Sequence, residues 1–136
     1  MTPETTALVK QSWSKVAPIS DQAASLFYNR LFEQHPEVRP LFKGDMDEQG
    51  EKLMRMIDKA VNALDDLGPL GQVIRMMGAR HSGYGVADED YAKVGEALIW
   101  TLEQGLGDAF TAETRAAWVS VYGELAGLMK DGAATA

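Results

Sequence analysis

LGQVIRMMGARHSGYGV, Leu70 to Val86, is the stretch whose reading decides the fold. A helix over Leu70 to Arg80 puts Leu70, Ile74, Met77 and His81 on one stripe, so the imidazole points where its apolar neighbours point, into the interior. Gly83 and Gly85 then end the helix. Ring nitrogens need partners that an apolar wall does not supply, so His81 wants a proton donor, an acceptor or a metal. On this stretch alone the commoner reading is a core histidine satisfied by a neighbour; a ligand role is the sharper alternative.

The rest of the chain narrows the classes. At 136 residues it makes one domain with room for a real core, with 1–130 as the domain and 131–136 as a frayed tail. The absence of cysteine excludes a disulfide framework, thiolate metal sites and a cysteine nucleophile. A formal charge of -7 argues against nucleic acid and favours a monomer or weak homodimer. MTPETTALVK carries neither a basic start before an apolar run nor a cleavage pattern, and no segment approaches a membrane span, so a cytoplasmic protein without membrane insertion is expected.

Taken in order, Thr2, Pro3 and Glu4 signal a helix start, and Leu8, Ser12, Trp13 and Val16 continue one face up to Pro18. Ser20 and Asp21 restart the chain, and Ala24, Phe27, Tyr28, Leu31 and Phe32 keep helical spacing to about Gln34. His35 before Pro36 marks a corner, most simply as a helix-end residue. After the polar KGDMD connector, Gln49, Leu53, Met56, Ile57, Ala60 and Leu64 form a long stripe, broken at Leu67, Gly68, Pro69 and Gly71. Ala87 to Asp90 caps a helix with face Tyr91, Val94, Leu98 and Leu102, which stops near Gly105 and Gly107. Thr111 opens the last, with face Trp118, Val121, Tyr122, Leu125, Leu128 and Met129. With no convincing strand or repeat, the class is all-α: about six main helices and a short one, crossing around a cavity.

Three inward polar groups converge in this reading: His81 on one helix, Gln49 on another and Tyr28 on a third, with Phe42 and Leu53 along the gap. One inward histidine cannot make an all-protein zinc site, which takes three or four ligands. It can supply the single axial bond of a haem, whose porphyrin brings four nitrogens, and without CxxCH any haem is held non-covalently. No nucleophile and base pair or phosphate loop competes with it.

FYNRLFEQHPEVRPLF (Phe27 to Phe42), QGEKLM from Gln49, RHSGYGV from Arg80, YAKVGEAL from Tyr91 and AAWVSVYG (Ala116 to Gly123) together resemble the single-domain bacterial globins. These are stand-alone relatives of the flavohaemoglobin globin domain, with kinship to neuroglobin-like proteins, and the likeness spans nearly the whole chain. The resemblance implies a globin fold and haem b (iron protoporphyrin IX). It makes His81 the proximal iron ligand, Phe42 the ring-stacking phenylalanine, Pro36 the corner proline, and Tyr28, Gln49 and Leu53 the positions that touch a bound gas. It places Met77, Val86, Tyr91, Val94 and Leu98 on the proximal and edge wall, with Arg80 or Lys52 pairing with propionates. Leu53, Met77, Val94 and Leu98 would be buried in any helical domain, so they discriminate little.

A donor such as a phenol or amide strengthens dioxygen binding more than carbon monoxide, because dioxygen takes partial negative charge from ferrous iron. One departure bears on the chemistry. Flavohaemoglobin-type globins strengthen the proximal histidine through a tyrosine and a glutamate, and Tyr91 matches the tyrosine. Lys130, Asp131, Gly132 and Ala133, however, put alanine where the acid would align. A neutral imidazole bonded to a carbonyl near Met77 then favours reversible binding over O–O cleavage. The expected function is reversible binding of dioxygen, with CO and NO as further ligands, for storage or delivery. The alternatives are a nitric oxide dioxygenase served by an external reductase, since no flavin or nicotinamide segment follows Ala136; a haem-based gas or redox sensor in which Tyr28, Gln49 or Lys52 holds the sixth iron position; and a haemless interaction domain.

Overall fold

The Thr2 hydroxyl accepts the Thr5 N–H at 3.2 Å and Pro3 fills the first turn, so the first orphan donors of helix α1 (Pro3–Val16) are satisfied from its own start. The computed structural model describes residues 2–42, 44–64, 68–83 and 88–134, with side chains in 2–42, 44–64, 71–79 and 89–132. A 3₁₀ turn at Ala17–Ile19 carries Pro18, and α2 (Ser20–Gln34) restarts at Ser20. His35 closes α2 by giving its N–H to the Leu31 carbonyl at 2.8 Å, and a second 3₁₀ stretch, Pro36–Leu41, turns the corner. Asp45 then caps α3 (Met46–Asn62), accepting the Asp47 N–H at 2.8 Å. Three helices follow: α4 (Gly68–Gly83), α5 (Asp88–Leu106) and α6 (Ala112–Ala134), the last capped by Thr111, whose hydroxyl accepts the Thr114 N–H at 3.1 Å. Gly107, at φ +54°, makes the left-handed turn out of α5 that a side chain would resist.

The class is the expected one: six α-helices, and no strand among the described residues. The bounds differ at two places. Helix α4 begins at Gly68, not Leu70, with Pro69 inside its first turn, where the missing N–H would have no helical partner anyway. Helix α6 runs on through Asp131 to Ala134, and Gly132 is buried. On α1 the fully buried residue is Val9, while Leu8 is half-buried.

The core joins helices remote in sequence. Val9, Trp13 and Val16 of α1, Phe27 and Leu31 of α2, Leu98 and Leu102 of α5, and Trp118 and Val121 of α6 are all buried together. Two indoles at this junction keep their N–H groups satisfied. Trp118 Nε1 donates to Ser12 Oγ at 2.7 Å, and Ser12 donates on to the Leu8 carbonyl at 2.8 Å. Trp13 Nε1 donates to Asp58 Oδ1 on α3 at 2.9 Å. Helix α1 is thereby tied to both α6 and α3.

The most extensive helix contact is α4 against α6. A Cβ on Gly78 would fall on the Met129 backbone, and one on Gly132 would fall on the Arg75 backbone. Numbers rise on one helix as they fall on the other, so the pair runs antiparallel with main chain against main chain. Interaxial distance is set by the side chains at the crossing, and here each contact has a glycine on one side, which brings its Cα–H groups onto the facing carbonyl. Gly78→Ala is expected to lower stability by about 1–3 kcal/mol or more, the cost of overpacking. Urea unfolding checks this, and a midpoint unchanged from the parent would show that α4 can shift freely.

Candidate functional site

Helix α3 explains why the site is a hollow. Its predicted stripe is half-buried at Gln49, Leu53, Met56 and Ile57 and buried at Ala60 and Leu64, while Gly50 and Met54 on the neighbouring face are buried against the core. The stripe fronts a cavity of about 600 Å³ instead of packing shut. Each neighbouring element adds a wall: Phe27 and Tyr28 from α2, Phe42 after the corner, Met77 from α4, Tyr91, Val94 and Leu98 from α5, and Trp118, Val121, Tyr122, Leu125, Ala126 and Met129 from α6. The walls are mainly apolar, with exposed Lys52, Arg55 and Lys59 adding cationic groups along α3. Such a volume lies within the range of ordinary small-molecule and cofactor sites.

Tyr28 sits in an aromatic cage. Its ring stands edge-on to Phe27 at 5.0 Å and to Phe42 at 5.5 Å, and stacks on Phe32 at 5.8 Å between centroids. Gly50 brings α3 close beside it, since a Cβ there would meet the Ala24 Cβ at 3.0 Å. Gln49, next along α3, therefore shares the cavity with Tyr28. Burial of the Tyr28 phenol pushes its pKa up to about 12, which keeps it a proton donor across any physiological pH. On the opposite side the Tyr122 hydroxyl donates to the Tyr91 carbonyl at 2.6 Å, and burial raises its pKa as well. This bond ties α6 to the first turn of α5.

Nine residues expected at the site from the sequence line this one cavity: Tyr28, Phe42, Gln49, Lys52, Leu53, Met77, Tyr91, Val94 and Leu98. His81 and Arg80 lie in α4, with side chains outside the described residues, and Val86 lies outside them altogether. Pro36 starts the corner and does not line the cavity. The sequence reading did not single out Phe27, Lys59 or the α6 wall as site residues. Trp118, Val121, Tyr122, Leu125 and Met129 do read there as one helical face, but periodicity cannot tell a face that fills a core from one that borders a hollow.

The raised Tyr28 pKa has a stability consequence. Its folded value lies above the unfolded value near 10, so the contribution is complete below about pH 10 and is lost as pH rises through about 12. Urea midpoints at about pH 9 and about pH 11 should fall less in Tyr28→Phe than in the parent. Equal falls would mean that the phenol is solvated.

Comparison with known proteins yields a consistent set. The sequence pattern of the Globin family matches residues 25–129. Neuroglobin from Chaenocephalus aceratus is 32% identical over 139 aligned residues, covering 92% of this chain and 87% of that protein, and neuroglobin from Danio rerio gives the same figures. Among solved structures, an engineered carbene transferase from Rhodothermus marinus, named as a candidate nitric oxide dioxygenase, superposes with a TM-score of 0.89 at 29% identity. The match covers 99% of this chain and 94% of that one. A hexacoordinated haem protein from an anhydrobiotic tardigrade shares the fold at a TM-score of 0.88 and 18% identity, covering 98% and 95%.

Proposed function

The chain belongs to the globin family, and from that membership we propose that it holds a non-covalent haem b through His81 and reversibly binds dioxygen, with CO and NO as further ligands. The observation that carries this reading is the cavity of about 600 Å³ on which Tyr28, Gln49 and Met77 converge from three helices, with His81 one turn beyond Met77 along α4. The residues present fit the group. Apolar and aromatic walls suit a flat macrocycle, and Lys52, with Arg80 along α4, would pair with its carboxylates. Among the described residues no group of three or more His, Cys, Asp or Glu could hold a metal. Haem, once bound, supplies a ferrous iron that can take a diatomic gas.

The chain's own residues would then act as follows. His81 holds the group through one ring nitrogen while the other donates to a carbonyl of the preceding turn, which keeps the imidazole neutral. Tyr28 donates its hydroxyl hydrogen to the gas, and Gln49 adds an amide donor beside it. Phe42 and Leu53 exclude water from that space, which strengthens both hydrogen bonds.

A donor bond to a partly charged acceptor is worth about 1.5–3 kcal/mol. Tyr28→Phe is therefore expected to raise the dioxygen off-rate by roughly one to two decades. Carbon monoxide, which carries less charge, should change much less, and stopped-flow release of the two gases measures the difference. Equal small effects on both would remove Tyr28 from the gas site. The visible spectrum of the reduced protein should shift reversibly with each gas, and His81→Ala should lose or change that ligation.

A second reading is supported by the name of the Rhodothermus marinus relative: nitric oxide dioxygenation, with an external reductase returning the iron to the ferrous state. Catalytic consumption of nitric oxide when a reductase is supplied, against a single stoichiometric conversion without one, separates the two readings.

A further inference from the structure

Tyr91 enters the cavity wall from the first turn of α5, and two residues of α6 fix it there. The Tyr122 hydroxyl donates to the Tyr91 carbonyl at 2.6 Å. The Tyr122 ring lies so close to α5 that a Cβ on Gly95 would meet its Cε2 at 2.7 Å. About two turns further along α6, Lys130 holds its Nζ 5.7 Å from the centroid of the Tyr91 ring. Tyr91 is thus held by its backbone at one point of α6 and by its ring at another.

Lys130 does not line the cavity, so its charge acts there across the Tyr91 ring. A cation is attracted to the face of a phenol ring, and the ring screens its field less than the water it replaces. Lys130 is half-buried, and among the described residues no carboxylate pairs with its ammonium. Its position is also locked: Met129 beside it lines the cavity, and Gly132 rests on the Arg75 backbone of α4. Lys52, Arg55 and Lys59 along α3 are exposed, so solvent and salt screen them more. Tyr28 and Gln49 bring donors to the cavity but no net charge.

We propose that Lys130, seated on Tyr91, is a fixed positive charge that biases the iron of a bound haem toward its ferrous state. The proposal rests on the haem reading above. Ferric iron carries one positive charge more than ferrous iron, so a cation held behind the wall repels the oxidised form more than the reduced one. Since the ferrous form is the one that takes a gas, Lys130 is a specificity-determining residue: it favours the gas-binding state without touching the gas. Tyr122 and Gly95 serve as positioning residues, because they hold the ring on which the ammonium sits.

The test is a spectroelectrochemical titration of the haem-loaded full chain under nitrogen, read from its visible spectrum. Three variants separate charge from packing. Lys130→Met keeps an aliphatic stem over the ring and removes the charge, Lys130→Arg keeps the charge and changes the shape, and Lys130→Glu inverts the charge. At the parent's midpoint potential, the ferrous-to-ferric ratio should fall roughly three- to tenfold in Lys130→Met and further in Lys130→Glu, and stay near the parent's in Lys130→Arg. A packing role would instead leave Lys130→Met like the parent and set Lys130→Arg apart. In each variant the carbon monoxide spectrum reports that haem is still held. Retained haem with equal midpoints in the parent, Lys130→Met and Lys130→Glu would overturn the charge role alone, as would a series ordered by side-chain shape. A parent chain that takes up no haem would overturn both this role and the reading beneath it.

Discussion

A cavity of about 600 Å³ is the constraint from which the other features follow. A hollow with mainly apolar walls forgoes the packing contacts that a filled core would make. The walls therefore have to be supported from outside while their inner faces are kept for an occupant. That division is visible on α3, where Met54 packs on the core while Leu53 and Ile57, half-buried, line the hollow.

Support comes from contacts that add no bulk on the cavity side. Helix α4 lies against α6 through Gly78 and Gly132, backbone to backbone, and α3 approaches α2 through Gly50. The Trp13 and Trp118 indoles tie α1 to α3 and α6 through Asp58 and Ser12. At the rim, Lys93 Nζ lies 3.3 Å from Glu37 Oε1 and 3.1 Å from Asp90 Oδ1, which joins the corner to α5. Glu37 is exposed, and exposed ion pairs contribute little stability, so its arm of this contact orients the corner more than it holds it. Tyr28 and Gln49 thus face the hollow, while Trp13 and the glycines Gly50, Gly78 and Gly132 stand behind it.

Much of this was legible in the chain because it is encoded over short distances. Thr2 and Thr111 cap helices through side chains that reach only three residues, and Pro36 makes its corner through its own ring. A period of 3.6 likewise puts Tyr28 beside Phe27 and Leu31, and Gln49 on the Leu53 stripe, before any tertiary contact is known. Pro69 misled for the same local reason: proline breaks a helix interior but is welcome in a first turn, and a sequence does not mark which of the two it occupies.

The sequence by itself determined the all-α class, most helix boundaries and the corner, because capping, period and turn chemistry act within a few residues of one another, while most of the nine residues that meet at the cavity were named through the family resemblance. Only the tertiary structure decided which faces fill space and which enclose it. Ser12 and Trp118 are separated by 106 positions, and Gly78 and Gly132 gain their meaning from each other. Such pairings depend on how six helices share one limited volume, and a linear pattern does not specify that partition.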